Sequence, residues 1–221
     1  MIVSWFCNFA IAHIDLYEHN VIPNPSFERG KDWPESWSRI RREGGDRVQF
    51  KWDDVNVHSG RRSVLIYSEP TDATIWGAFW CDLPLRGGIK WYFSGWWKSE
   101  GITRGGLTGW LWNGKWGSPV GSFGGASETS DWCEEAVVVD IAIEDANIPL
   151  GVEMRRACGK GWADDLLAVP YFLKLTADLL VRAQGFPAQQ LASGPADLRD
   201  WHEEVTQLSK EVVRWRNQPI E

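Results

Sequence analysis

Between Ile22 and Val169 apolar and polar residues alternate in short runs divided by Gly, Pro, Asn and Ser, and no helical period is sustained. The runs predict strands at Trp37–Arg41, Val48–Trp52, Ser63–Ser68, Thr74–Asp82, Lys90–Ser99, Leu107–Trp112, Ala136–Ala142, Ile148–Arg156 and Trp162–Val169. Many short strands at this spacing read as an all-β sandwich. Asn113-Gly114 between Trp112 and Trp116 marks a two-residue hairpin turn, because both positions accept positive φ. The Gly-, Ser- and Thr-rich stretch Gly121–Ser130 reads as a mobile loop. After Pro170 the period changes to helical over Leu173–Gln184, breaks through Pro195, and resumes over Ala196–Arg216. There Leu198, Trp201, Val205, Leu208, Val212 and Trp215 recur at steps of three and four, a narrow heptad stripe. The expected organisation is residues 1–19 as a signal-peptide remnant or N-terminal linker, 20–169 as the β-sandwich, and 170–221 as a helical appendage or connector.

Alternation also assigns faces. In Leu107–Trp112 the residues Leu107, Gly109 and Leu111 share one face, which places Thr108, Trp110 and Trp112 on the other. In Thr74–Asp82, Ile75, Gly77, Phe79 and Cys81 oppose Thr74, Trp76, Ala78, Trp80 and Asp82. Tyr92, Ser94, Trp96 and Lys98 share a face that Lys98 marks as wet. Glu153 and Arg155 are polar-face neighbours on the strand whose inward residues are Ile148, Leu150, Val152 and Met154. Trp76, Trp80, Tyr92, Trp96, Trp110, Trp112, Glu153 and Arg155 are therefore the candidate binding residues. An indole face complements the C–H face of a pyranose, and charged side chains hydrogen-bond its hydroxyls. The competing reading places several of these rings in a second layer or under the C-terminal helices.

Composition sharpens this picture. Sixteen tryptophans among 221 residues exceed what a core of this size needs, so some rings are expected to work at a surface. With 23 Lys plus Arg against 30 Asp plus Glu, the net charge of -7 offers no basic footprint for nucleic acid. Cys7, Cys81, Cys133 and Cys158 form no C-x-x-C pair and read as lone buried thiols. No apolar run reaches the roughly 18 residues of a membrane span. Ile2–Ala12, ending Ala10-Ile11-Ala12, has the look of a signal-peptidase site without a basic n-region, which points to a secreted protein; an N-terminal strand or linker is the other reading.

Three ordered stretches carry a family resemblance: Val21-Ile22-Pro23-Asn24-Pro25-Ser26-Phe27-Glu28 with Trp33-Pro34-Glu35-Ser36-Trp37, then Val57-His58-Ser59-Gly60-Arg61-Arg62-Ser63-Val64, and finally Gly161-Trp162-Ala163-Asp164-Asp165-Leu166. With Trp91-Tyr92-Phe93-Ser94-Gly95-Trp96-Trp97-Lys98, they resemble the jelly-roll carbohydrate-binding modules of families four, nine, sixteen and twenty-two, whose fold is of the galactose-binding type. The resemblance implies a jelly roll, a glycan ligand and a structural calcium. Glu28 matches the family's carboxylate ligand, the Ser59-Gly60-Arg61 carbonyls its backbone donors, and Asp164 the closing acid. Trp76 lies where xylan-binding relatives carry a stacking ring. By alternation Asp164 faces inward with Leu166 and Ala168, so it needs a cation: the metal, or Arg61 or Arg62.

The expected function is non-catalytic binding of a polysaccharide or oligosaccharide, targeting an attached glycan-active enzyme. The adjacent pairs Asp53-Asp54, Glu134-Glu135 and Asp164-Asp165 cannot form glycosidase dyads within strands, since neighbours point to opposite faces. His13, His19, His58 and His202 lie outside nucleophile or zinc motifs. The alternatives are a protein-interaction scaffold that uses the heptad helix, and a glycoside hydrolase whose dyad is assembled from distant strands.

Overall fold

The structure is a computed structural model that describes residues 14–42, 44–71, 74–113, 118–142 and 147–184, with positions 208 and 210. Its strands are β1 (Ser38–Arg41), β2 (Val48–Asp53), β3 (Ser63–Ser68), β4 (Trp76–Pro84), β5 (Lys90–Trp112), β6 (Pro119–Asp140), β7 (Asn147–Arg155) and β8 (Cys158–Pro170), followed by helix α1 (Tyr171–Gln184). All pairings are antiparallel, in the order β1-β4-β7-β5-β8-β3-β2 with β6 beside β5.

Strand β5 explains how one ladder makes two layers. Its first part, Trp91–Thr103, pairs with β8, and its second, Gly106–Leu111, pairs with β7. Between them the register against β6 slips repeatedly, and Gly101, Arg104 and Gly105 take φ of 62, 58 and 56°. The β5–β6 hairpin thus bends from one layer into the other. The inner faces meet where Phe123, on the far half of β6, packs 5.8 Å from Phe93 and 5.5 Å from Trp97. Phe93, Trp97, Leu107, Leu111, Val152 and Met154 share one core cluster with Ile66 and Phe79. The jelly-roll sandwich with a C-terminal helix is therefore as the pattern predicts.

The strand runs read from the sequence match in place, with three differences. Lys90–Ser99 and Leu107–Trp112 are one bent strand, and Gly121–Ser130, expected to be a loop, lies inside β6. Trp112 pairs with Pro119 and not with position 115, as a two-residue turn would require, and Gly114 of that turn lies outside the described residues. Cys133 is exposed while Cys81 and Cys158 are buried, and these three are free thiols. The signal-like segment, Cys7 and the heptad stripe (Leu208 apart) lie outside the described residues. No helix among the described residues is long and apolar enough to cross a membrane.

The N-terminal motif is built around two positive-φ residues, Asn24 at 47° and Phe27 at 55°. Buried Asn24 accepts the Arg29 N–H at 3.0 Å and donates to the Arg29 and Glu35 carbonyls, which closes the loop. That closure drives Phe27, fully buried, against Trp37 at 5.0 Å. Leu166 N–H then bonds the Pro25 carbonyl, tying the motif to β8.

Candidate functional site

The outer face of the β1-β4-β7-β5 layer carries four tryptophans in register. Gly106, Arg155 and Trp76 are cross-strand neighbours; the next row holds Thr108, Glu153 and Ala78, and the next Trp110, Gly151 and Trp80. The face assignment made from alternation holds for all of them, but exposure divides them. Trp80 and Trp110 are half-buried, whereas Trp76 and Trp112 retain only 8% and 7% of their surface. The cause is Glu153, fully buried between the two indoles. Its Oε2 accepts the Trp76 Nε1–H at 2.6 Å and its Oε1 the Trp112 Nε1–H at 2.8 Å. Burial pushes the Glu153 carboxyl up, while these bonds and the charges of Arg155 and Arg42 pull it down. Arg42 also covers Trp76, its guanidinium 4.9 Å from the ring centre. Trp76, Trp112 and Glu153 are therefore a buried polar knot beneath the face, not three groups offered to solvent. Trp110 leans on Trp112 at 5.9 Å and keeps its outer side open.

Beside Trp110 lies a cleft of about 700 Å³, lined by Thr71, Thr74, Arg104, Gly105, Gly106, Thr108, Trp110, Arg155, Arg156 and Cys158. The β5 bend forms one wall. Gly105 is required there, because a Cβ would sit 2.3 Å from the Arg155 carbonyl oxygen. The sequence pointed to Trp110 and Arg155 in this cleft and missed Arg104 and Arg156, which come from a bend and a strand end that alternation cannot place.

Tyr92 and Trp96 occupy the outer face of the other layer, because they precede the bend in β5. They do not join the first group. Lys174 of α1 sits over the Tyr92 ring at 5.2 Å, and Trp96 stacks on His58 with ring centres 3.8 Å apart. Trp132 meets the same imidazole edge-on at 5.8 Å, and His58 Nδ1 lies 2.7 Å from Asp165.

The expected metal corner is organised differently. Trp96 pairs with Asp164 and Ser94 with Leu167, so β8 carries one extra residue there, and Asp165 takes φ 46°. This bulge breaks the alternation. Leu166 and Ala168 enter the core, while Asp164 lies across from Trp96 and is buried by the turn above it. Asp164 pairs with neither Arg61 nor Arg62: its Oδ2 accepts the N–H groups of His58 at 2.9 Å and Ser59 at 3.3 Å, and its Oδ1 that of Asp165. Burial and the Asp165 charge raise its carboxyl to about 7 despite those bonds. Glu28 grips the same turn, its Oε1 accepting Arg61 N–H at 2.7 Å and Arg62 N–H at 2.8 Å. Calcium asks for about six to eight oxygens, carbonyls among them. Here the turn aims amide hydrogens at both carboxylates, and the Arg61 side chain is 91% exposed. No group of three or more His, Cys, Asp or Glu among the described residues could hold a metal. As arranged, these donors do not fit a calcium cage.

Several of the described tryptophans are structural. Indole N–H groups bond the Pro23 carbonyl from Trp37, the Phe27 carbonyl from Trp52, the Arg86 carbonyl from Trp91 and the Asp53 carboxylate from Trp162. Trp37, Trp91 and Trp162 are buried and Trp52 partly so, each with its polar edge satisfied, a use that residue counts do not reveal.

No family model matches this chain, and no curated protein matches it. Solved structures do. The enzymatically active domain of tailspike protein 4 from bacteriophage CBA120 matches at 15% identity and TM-score 0.52 over 69% of this chain and 21% of that one. A Stig cyclase from Fischerella sp. TAU matches at 12% identity and TM-score 0.51, over 67% of this chain and 95% of its own. A family-61 carbohydrate-binding module solved with β-1,4-galactotriose matches at 20% identity and TM-score 0.47, over 68% and 98%. Modules of families four and twenty-two are also among the matches.

Proposed function

We propose that this chain is a glycan-binding module that holds a polysaccharide or oligosaccharide across the outer face of the β1-β4-β7-β5 layer, with Trp110 and Trp80 as ring platforms. The observation that carries this reading is the half-exposed Trp110 standing in a cleft with Thr108 and Arg155 beside it. Trp80 lies in the same row across Gly151, so the two ring-bearing backbone positions are about 10 Å apart, two strand spacings, on one face. Gly151 is required between them, since the Glu153 carboxylate, at 2.6 Å, and the Trp80 ring, at 3.0 Å, already occupy the place of a Cβ. Hydroxyl contacts fall to Thr108, Thr74 and Arg155.

Binding without catalysis is part of the proposal. Among the described residues the cleft lining supplies no acid–base pair, and the His58–Asp165 pair sits on the opposite layer with its ring held between Trp96 and Trp132. Targeting of an attached glycan-active enzyme and a secreted setting complete the reading. The test is affinity electrophoresis of the full chain against xylan, mixed-linkage glucan, mannan and cellulose. Retardation by at least one polysaccharide, lost in Trp110→Ala while the fold is kept, is the expected result. A chain that none of the four retards and that binds no acidic glycan either does not bind in the way proposed.

A further inference from the structure

The cleft beside Trp110 has the opposite sign to the chain as a whole. The protein carries a net charge of -7, yet of the ten described residues that line the cleft three are arginines and none is acidic. Arg47 adds a fourth cation at the same end, its guanidinium donating to the Thr71 hydroxyl. Arg104 is tied to the Thr71 carbonyl at 2.7 Å and forms a fixed wall. Arg155 and Arg156 are exposed at the end of β7 and line the cleft floor. Glu153, whose charge Arg155 and Arg42 offset, is buried under two indoles and cannot reach a ligand.

The backbone holds these cations in place at a cost. Arg104 and Arg156 take φ of 58 and 52°, a region long side chains rarely adopt. Both sit where the β5 bend crosses the end of β7, with Gly105 in contact with the Arg155 and Arg156 carbonyls. Non-glycine residues held there cost on the order of 1 kcal/mol or more and persist where the surroundings impose them.

We infer that this cleft is a subsite for the carboxylate of an acidic sugar, a uronic acid residue within the bound glycan, with Arg155 and Arg156 receiving the carboxylate and Trp110 stacking on a ring. The inference rests on the glycan-binding reading and names its ligand class. A guanidinium fork matches a carboxylate in plane and makes two parallel charge-assisted bonds. An aromatic platform next to that fork selects a ring bearing the acid over a free anion. Thr71, Thr74 and Thr108 supply hydroxyl partners on the same wall.

The experiment uses the full chain in titration calorimetry with tetragalacturonate, with its fully methyl-esterified form, and with dextran sulfate, beside the four neutral polysaccharides. Expected is at least about tenfold tighter binding of the acid than of the ester, a difference that shrinks as salt rises. Arg155→Gln, and separately Arg156→Asn, which tolerates the positive φ, should bring the acid down to the ester's affinity, the second with an unchanged melting point. Trp110→Ala should weaken both forms. Equal binding of acid and ester, with Trp110→Ala weakening both, overturns the acidic subsite and leaves the glycan-binding reading standing. Dextran sulfate binding as tightly as the acid with the same arginine dependence overturns the carboxylate assignment. Absence of binding to all of these and to the neutral polysaccharides overturns both readings.

Discussion

Glu153→Gln is the sharpest probe of the tryptophan face, because the two replaced atoms have identical shape and opposite hydrogen-bonding character at one position. The native carboxylate gives one oxygen to each indole, at 2.6 and 2.8 Å, with no solvent exposure. Glutamine keeps one acceptor and turns an NH2 toward the second indole N–H, so one buried donor loses its partner and faces another donor. A buried polar group left unpaired costs about 1–3 kcal/mol. Loss of the buried charge returns part of this, and the expected net destabilisation is about 2 kcal/mol. For a chain of this size that lowers the melting temperature by roughly 4 to 8 °C. Glu153→Leu orphans both indoles and should cost about twice as much. The decisive measurement is the cycle with Trp76→Phe and Trp112→Phe, by urea unfolding followed in the far-ultraviolet with a constant m-value. Removing the donors along with the acceptor should recover part of the Glu153→Leu loss, because an apolar trio leaves nothing unsatisfied. A Glu153→Gln protein as stable as the native one, or strict additivity around the cycle, refutes the reasoning.

Three further outcomes follow from the same geometry. Trp76→Ala and Trp112→Ala should each cost about 3–5 kcal/mol through cavity formation, whereas Trp110→Ala costs under about 1 kcal/mol; equal melting points for all three would place the rings on the same exposed surface. Asp164 has its folded pKa raised to about 7 from an ordinary 3.8, so its contribution is full below about pH 4 and is lost as pH rises toward 7. In chelator, stability should therefore fall by a few kcal/mol over that window and Asp164→Asn should flatten the profile; an unchanged profile in the variant assigns the titration elsewhere. Calcium against chelator should leave the melting temperature unmoved, since Glu28 and Asp164 meet amide hydrogens; a rise that Glu28→Ala abolishes would restore the metal site.

Local alternation determined most of the fold by itself. An apolar face writes its own period, and so Ile148–Arg155 and the leucine face of Leu107–Leu111 were legible, as was the helix after Pro170; Ser63–Ser68, buried on both faces, was legible as a short apolar run. The order of Asn24–Glu28 and Trp162–Leu166 likewise pointed to the jelly roll. What alternation cannot carry is anything that interrupts it. The bulge at Asp165 moved Asp164 off the core face that strict alternation gave it, and the bend at Gly101–Gly105 sent Tyr92 and Trp96 to the layer opposite Trp110 although one strand holds all three. Burial was the other quantity beyond reach. Trp76 and Trp110 occupy equivalent polar-face positions in their strands, yet Arg42 and Glu153 cover the first while the second borders a cleft. Which ring is covered depends on residues 34 and 77 positions away in the chain, and only the packed layers bring them together.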